Sequence, residues 1–154
     1  MNTDRQPEYL TGLITELRKL PAETSWVEFK ENDCNPEEIG EYISSLSNTA
    51  ALNDKANAYI VWGIEDGTHR VVGTEFKPGR AKKGNENLEN WLTRLLDPRL
   101  HFRFYEVACE DKPLVLLEIP RAFGKPVQFK GQEFIRVGSC QKKLKDNPEK
   151  EREL

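Results

Sequence analysis

The sequence predicts an α+β fold, a mixed β-sheet of about five or six strands carrying about three helices. Three features predict it. Leucine and isoleucine recur at helical spacing within residues 7–20 and again within 39–52. The run Ala58-Tyr59-Ile60-Val61-Trp62-Gly63-Ile64 is almost unbroken apolar sequence, as in a strand covered on both faces. From about residue 100 onward, short apolar runs are separated by Gly, Pro and Asp turn signals, as in antiparallel strands.

Taken in order, Pro7 to Leu20 reads as a helix with Leu10, Leu13, Ile14, Leu17 and Leu20 on one stripe, ended by Pro21. Trp26 to Lys30 reads as a strand, with Val27 and Phe29 on one face and Glu28 and Lys30 on the other. Asn35-Pro36-Glu37-Glu38 is a helix start: an N-cap, a proline at the first helical position and a capping-box carboxylate. That helix runs to about Leu52 and buries Ile39, Ile43, Leu46 and Ala50. The strand at 58–64 is expected to be central, and Glu65-Asp66-Gly67 turns the chain into a short returning strand at Val71-Val72-Gly73. A basic loop follows, with Lys77, Arg80, Lys82 and Lys83. Asn85 is expected to cap a helix through Leu96 with Leu88, Trp91, Leu92 and Leu95 inward. Strands are expected at about 100–109 and 114–119, then a hairpin of 127–129 with 134–137. Asn147-Pro148-Glu149 looks like one more helix start.

Composition narrows the function class. The 154 residues suit one domain, large enough to bury a core without disulfides or a structural metal. No run approaches the roughly 18 apolar residues of a membrane helix. The start Met1-Asn2-Thr3-Asp4-Arg5 lacks a secretory pattern. Cys34, Cys109 and Cys140 are odd in number and far apart, as expected of reduced thiols. These features together lead to the expectation of a cytoplasmic protein. Two histidines are too few for a His-based zinc site. Net charge is −3, unevenly spread: 13 acidic and 6 basic residues in 1–70 give −7, and 13 acidic and 17 basic in 71–154 give +4. A basic surface from the second half can therefore lie beside an acidic centre from the first.

The phosphate-loop, dinucleotide, zinc-protease and serine-hydrolase signatures are absent. The chemistry-bearing set is acidic. Glu23 precedes the first strand, Glu28 and Lys30 share one face of it, and Glu65-Asp66 end the central strand. If the two strands are neighbours, Glu23, Glu28 and Asp66 meet at one sheet edge. Carboxylates so placed can hold Mg²⁺ or Mn²⁺ and polarise a phosphodiester, with Lys30 adding positive charge. Solvated strand-end carboxylates are the more ordinary reading of the pattern alone. A second set is Phe134-Ile135-Arg136-Val137-Gly138-Ser139 followed by Lys142, Lys143 and Lys145. It offers a hydroxyl, backbone N–H groups and cations to phosphate, or is an ordinary hairpin with a basic tail. Asn48-Thr49 reads as helix-end capping.

Glu23-x-x-x-x-Glu28-Phe29-Lys30, Ile43-Ser44-Ser45-Leu46-Ser47-Asn48-Thr49, Tyr59 to Asp66, Val71-Val72-Gly73-Thr74 and Phe134 to Ser139, in this order and spacing, resemble the Schlafen-like AlbA-type domain. The resemblance covers roughly Leu20 to Pro148. It implies an AlbA/Schlafen-core-like fold, with 1–20 as an N-terminal helix, 21–146 as the domain and 147–154 as the start of a C-terminal helix or linker. Bacterial and archaeal domains of this kind lead proteins described as transcriptional regulators or divergent ATPases and are labelled DNA-binding. The resemblance thus implies nucleic-acid binding, DNA first; the basic second half is then expected to supply the contacts, with Lys82, Lys83, Arg136, Ser139, Lys142 and Lys143. It also implies a following C-terminal domain that this chain does not include. In animal Schlafen proteins a similar core is a metal-dependent endoribonuclease on transfer and ribosomal RNA. Its acidic triad matches Glu23, Glu28 and Asp66, with Lys30 adjacent, so that activity, using Mg or Mn, is the alternative. Two departures stand out. Relatives often carry a Gly-Gly pair where this chain has Leu52 to Asn57, and the animal enzymes clamp RNA with two lobes, so a homodimer would be needed here. A protein-interaction domain is a third reading.

Overall fold

The computed structural model describes residues 5–22 and 24–154. Helix α1 (Pro7–Arg18) starts on a proline, whose missing N–H costs nothing there, and buries Leu10, Ile14 and Leu17. Strand β1 (Val27–Lys30) alternates as its sequence requires, with Val27 and Phe29 buried and Glu28 and Lys30 half-buried. Helix α2 (Pro36–Leu52) begins where the capping signal lies: the Asn35 side chain accepts the Glu38 N–H at 3.0 Å. Strand β2 (Asn57–Trp62) follows.

The expected returning strand at 71–73 contracts to a single bridge between Ile64 and Val71. The basic loop becomes a small hairpin, β3 (Lys82–Lys83) with β4 (Glu86–Asn87). That hairpin moves the next cap from Asn85 to Asn87, whose side chain accepts the N–H groups of Glu89 and Asn90 and opens α3 (Leu88–Leu95). The chain continues through β5 (Leu96–Asp97), β6 (Arg103–Cys109), β7 (Lys112–Pro120), β8 (Gln128–Phe129), β9 (Gln132–Val137) and β10 (Cys140–Lys143). A 3₁₀ turn at Leu144–Asp146 and α4 (Pro148–Glu153) complete it.

The fold is α+β with mixed pairing, and its strands divide between sheets. The first sheet has the order β1-β2-β7-β6, with β1 parallel to β2 and the rest antiparallel. β2 is therefore central, and both its faces are covered. Ala58, Ile60 and Trp62 join Val115, Leu117 and Ile119 against α2 and α3, while Tyr59 and Val61 join Leu114 and Leu116 against α1. This double burial is why its sequence is continuous rather than alternating.

The second sheet, β10-β9-β8-β5, is antiparallel and lies along α2. Here α2 uses polar side chains. Ser44 donates to the Val127 carbonyl at 2.7 Å and accepts the Phe134 N–H at 3.1 Å. Asn48 donates to the carbonyls of Val127 (3.2 Å) and Phe134 (2.8 Å) and accepts the Val127 N–H at 2.8 Å. Thr49 accepts the Arg136 N–H at 3.0 Å. All three side chains are buried, so Asn48 and Thr49 bind strand backbone rather than cap their helix. Each such bond nets about 1 kcal/mol, but an unmet buried partner would cost more. Gly40 lets the helix approach further: a Cβ there would collide with the Phe129 ring.

Candidate nucleic-acid interface

β1 and β9, which belong to different sheets, meet through Arg136. Arg136 turns inward from β9 and is only 1% exposed; its Nη2 lies 2.9 Å from Glu28 Oε1. The same guanidinium donates to the carbonyls of Val27 and Ser139, each at 3.3 Å. The expected phosphate contact by Arg136 is therefore not what the structure places there: its charge is spent on Glu28. The arginine fixes β9 to β1 and holds the Gly138-Ser139 turn from beneath.

Lys30 completes the cluster. Its Nζ lies 3.1 Å from Glu38 Oε1 and 3.8 Å from both Glu28 Oε2 and Asp33 Oδ2, and 4.9 Å from the centre of the Tyr42 ring. The Arg136 guanidinium is 5.7 Å from the same ring. Burial works against the Lys30 charge, but the Glu38 hydrogen bond and the fields of Tyr42, Glu28 and Glu38 outweigh it and hold its pKa up to about 12. Burial pushes the Glu28 carboxyl up, Arg136 and Lys30 pull it back, and the Asp66 charge adds to the rise, leaving it above its ordinary value. Tyr42 and Glu38, which the sequence marked only as helix residues, are as much part of this centre as Glu28. Their i, i+4 spacing on α2 was the available signal.

Asp66 is exposed in the turn after β2 and makes no hydrogen bond or ion pair with a described residue, although its field reaches Glu28. Glu65 is taken up by its own turn, bonding Thr68 and Arg70. Glu23 lies outside the described residues. Among the described residues no three His, Cys, Asp or Glu side chains group to hold a metal ion. Glu28, with one oxygen on Arg136 and the other facing Lys30, does not fit as a ligand for a hard cation in this arrangement.

The exposed groups lie above this centre. Ser139 is exposed at the turn into β10, and β10 is the edge of its sheet. Lys142 and Lys143 are exposed on it, opposite Ile135 and Phe134. Consecutive strand residues point to opposite faces, so the two lysines flank the free edge from its two sides. The Lys143 charge also reaches Glu41 of α2. Lys82 and Lys83 are exposed on the separate β3–β4 hairpin, with Lys83 5.9 Å from the Trp91 ring centre. Among the described residues no helix is long and apolar enough to cross a membrane.

Fold and site together define a small α+β domain in which a buried ion pair underpins a lysine-flanked strand edge. The family model described as Schlafen, AlbA_2 matches residues 23–145, and the chain belongs to that family. Family membership supports a nucleic-acid-related role. Among solved structures, the chain is similar to the N-terminal domain of a RecG-related protein of Nitrosomonas europaea named for an ATP-dependent DNA helicase. That likeness has a TM-score of 0.53 and 20% identity, covering 86% of this chain and 90% of that one. It is also similar to the DIP2311 protein of Corynebacterium diphtheriae, with a TM-score of 0.52 and 17% identity over 88% of this chain. This chain spans 26% of the DIP2311 chain. At these identities the likeness is one of fold. No curated protein matches the chain.

Proposed function

We propose that the chain is a nucleic-acid-binding domain, for DNA within a regulatory protein, that grips phosphate along the β10 edge. The observation that carries this reading is the free edge of β10, with Lys142 and Lys143 on its two sides and Ser139 at its head. Outward backbone N–H groups, a hydroxyl and two cations along one line suit a run of phosphates, which position a protein on nucleic acid without reading bases. The buried Arg136–Glu28 pair keeps this edge in place. DNA is the first nucleic acid to test, since the N. europaea neighbour is named as a protein related to an ATP-dependent DNA helicase.

One feature favours the endoribonuclease reading: the Asp66 charge acts on Glu28, which lies beside Lys30. Against it, Glu28 is held by two cations and turned away from a metal-ligand role.

The test is titration of duplex DNA and of a folded RNA against the wild type and the Lys142→Gln/Lys143→Gln double variant at low salt. The expected result is binding that added salt and the double substitution both weaken. No binding to either nucleic acid, or binding indifferent to both lysines, would refute the proposal.

A further inference from the structure

The connection from β7 to β8 carries a second surface. Its sequence, Pro120-Arg121-Ala122-Phe123-Gly124-Lys125-Pro126, has two cations, no carboxylate and an aromatic residue between the cations. Phe123 is 74% exposed, far more than Tyr9 at 46% or Val137 at 44%, the other exposed large apolar side chains among the described residues. A single exposed apolar residue on a mobile tip would need no explanation. This one is mounted on a rigid base.

Both ends of the loop are fastened to the α2 region. The Arg121 N–H donates to the Ala56 carbonyl at 3.0 Å and the Ala122 N–H to the Ser47 carbonyl at 3.1 Å. The Ser47 hydroxyl donates to the Pro120 carbonyl at 2.7 Å, and the Val127 N–H donates to Asn48 at 2.8 Å. Ala122 and Val127 are buried. Gly124, with φ +77°, turns the chain in a conformation that side chains rarely adopt, and so fixes how the ring is presented. The Arg121 guanidinium lies 5.9 Å from the ring centre and also pairs with Asp54 at 3.1 Å. The Asp54 side chain is 95% exposed and that of Arg121 27%, so this pair is screened on its outer side, while the guanidinium also donates to the Ala51 carbonyl at 3.3 Å. A recess of about 240 Å³ adjoins the ring, bordered by Ala51, Lys125 and Glu153.

We propose that the Arg121–Lys125 loop is a stacking platform for an unpaired nucleobase, with Phe123 against the base and Arg121 and Lys125 on the flanking phosphates. The proposal rests on the nucleic-acid reading above and extends it to a strand with unpaired bases. Every base has a π-face, so such a platform holds single strands with little sequence preference, and the two cations supply the charge complement. In a duplex the bases are stacked on one another and offer the ring nothing.

The test measures anisotropy of labelled single-stranded RNA, single-stranded DNA of the same sequence and the corresponding DNA duplex at low salt. The proteins are the wild type, Phe123→Ala, Phe123→Trp and Phe123→Leu, with circular dichroism confirming that each is folded. Phe123→Ala is expected to weaken single-strand binding about tenfold, the low end of the loss of one stacked base. Duplex binding should change less than about twofold, and Phe123→Trp should keep the wild-type affinity. The RNA and DNA arms show which sugar the platform accepts. Full affinity in Phe123→Leu would mean apolar contact without stacking and would overturn the proposal. So would equal losses on single strand and duplex. Single-strand binding that ignores position 123 but responds to Lys142 and Lys143 would overturn the platform and leave the β10 reading intact. No binding of any nucleic acid would overturn both.

Discussion

Replacing Arg136 by methionine removes a guanidinium that is 1% exposed and 2.9 Å from Glu28. Breaking a buried pair by deleting one partner costs about 3–5 kcal/mol, because the other charge stays desolvated. For Arg136→Met the low end, about 3 kcal/mol, is expected, since Lys30 at 3.8 Å still attends the Glu28 carboxylate. At a urea slope of about 2 kcal/mol per molar, that lowers the unfolding midpoint by about 1.5 M. Glu28→Met should cost more, about 4–5 kcal/mol, because the stranded guanidinium is the more deeply buried partner. The double variant removes both charges and should be much less destabilised than the sum, with a coupling of about 2–3 kcal/mol. Urea unfolding of the four proteins, followed by tryptophan fluorescence, measures the cycle. Additivity within about 0.5 kcal/mol would show that the two groups act independently, and the role of Arg136 as the anchor beneath the β10 turn would be lost.

Two further outcomes follow from close contacts and charge placement. Gly40→Ala would ordinarily stabilise a helix by about 1 kcal/mol, but a Cβ there collides with the buried Phe129 ring and forces the ring or the helix to move. A net loss of about 1–3 kcal/mol in urea unfolding is expected, and a stabilised variant would contradict the close packing of α2 on the second sheet. Asp66→Asn removes an exposed charge with no described partner, so it should leave stability within about 0.5 kcal/mol of wild type. If it abolishes a Mn²⁺-dependent, EDTA-sensitive cleavage of folded RNA, the endoribonuclease reading gains over the binding domain; the expected result is that neither protein cleaves.

Much of this arrangement was legible in local patterns. Asn35, Pro36 and Glu38 marked the start of α2 because capping is settled within one turn of chain. The nearly unbroken apolar run at 58–64 marked a central strand because burial on both faces removes alternation. The separation into two sheets was not legible, since β5 and β8 have two residues each and their pairing is decided by long-range packing. The same holds for Ser44, Asn48 and Thr49. Such residues ordinarily favour surfaces and caps, and only the strand backbone laid against α2 makes them buried partners. Arg136 shows the limit most directly. Alternation places it on one face of β9 with Phe134, but nothing near it in sequence says that this face meets Glu28 on β1. An arginine in a basic segment therefore read as a phosphate contact. Lys142, Lys143 and Ser139 are exposed.

The slope of binding against salt tests the central claim most directly. Each phosphate neutralised on duplex DNA contributes about −0.9 to the slope of log affinity against log salt. Lys142→Gln/Lys143→Gln should therefore make the slope shallower by about 1.8, whatever the DNA sequence. A double variant with the wild-type slope, or a wild type whose binding does not respond to salt, would contradict a phosphate grip along the β10 edge.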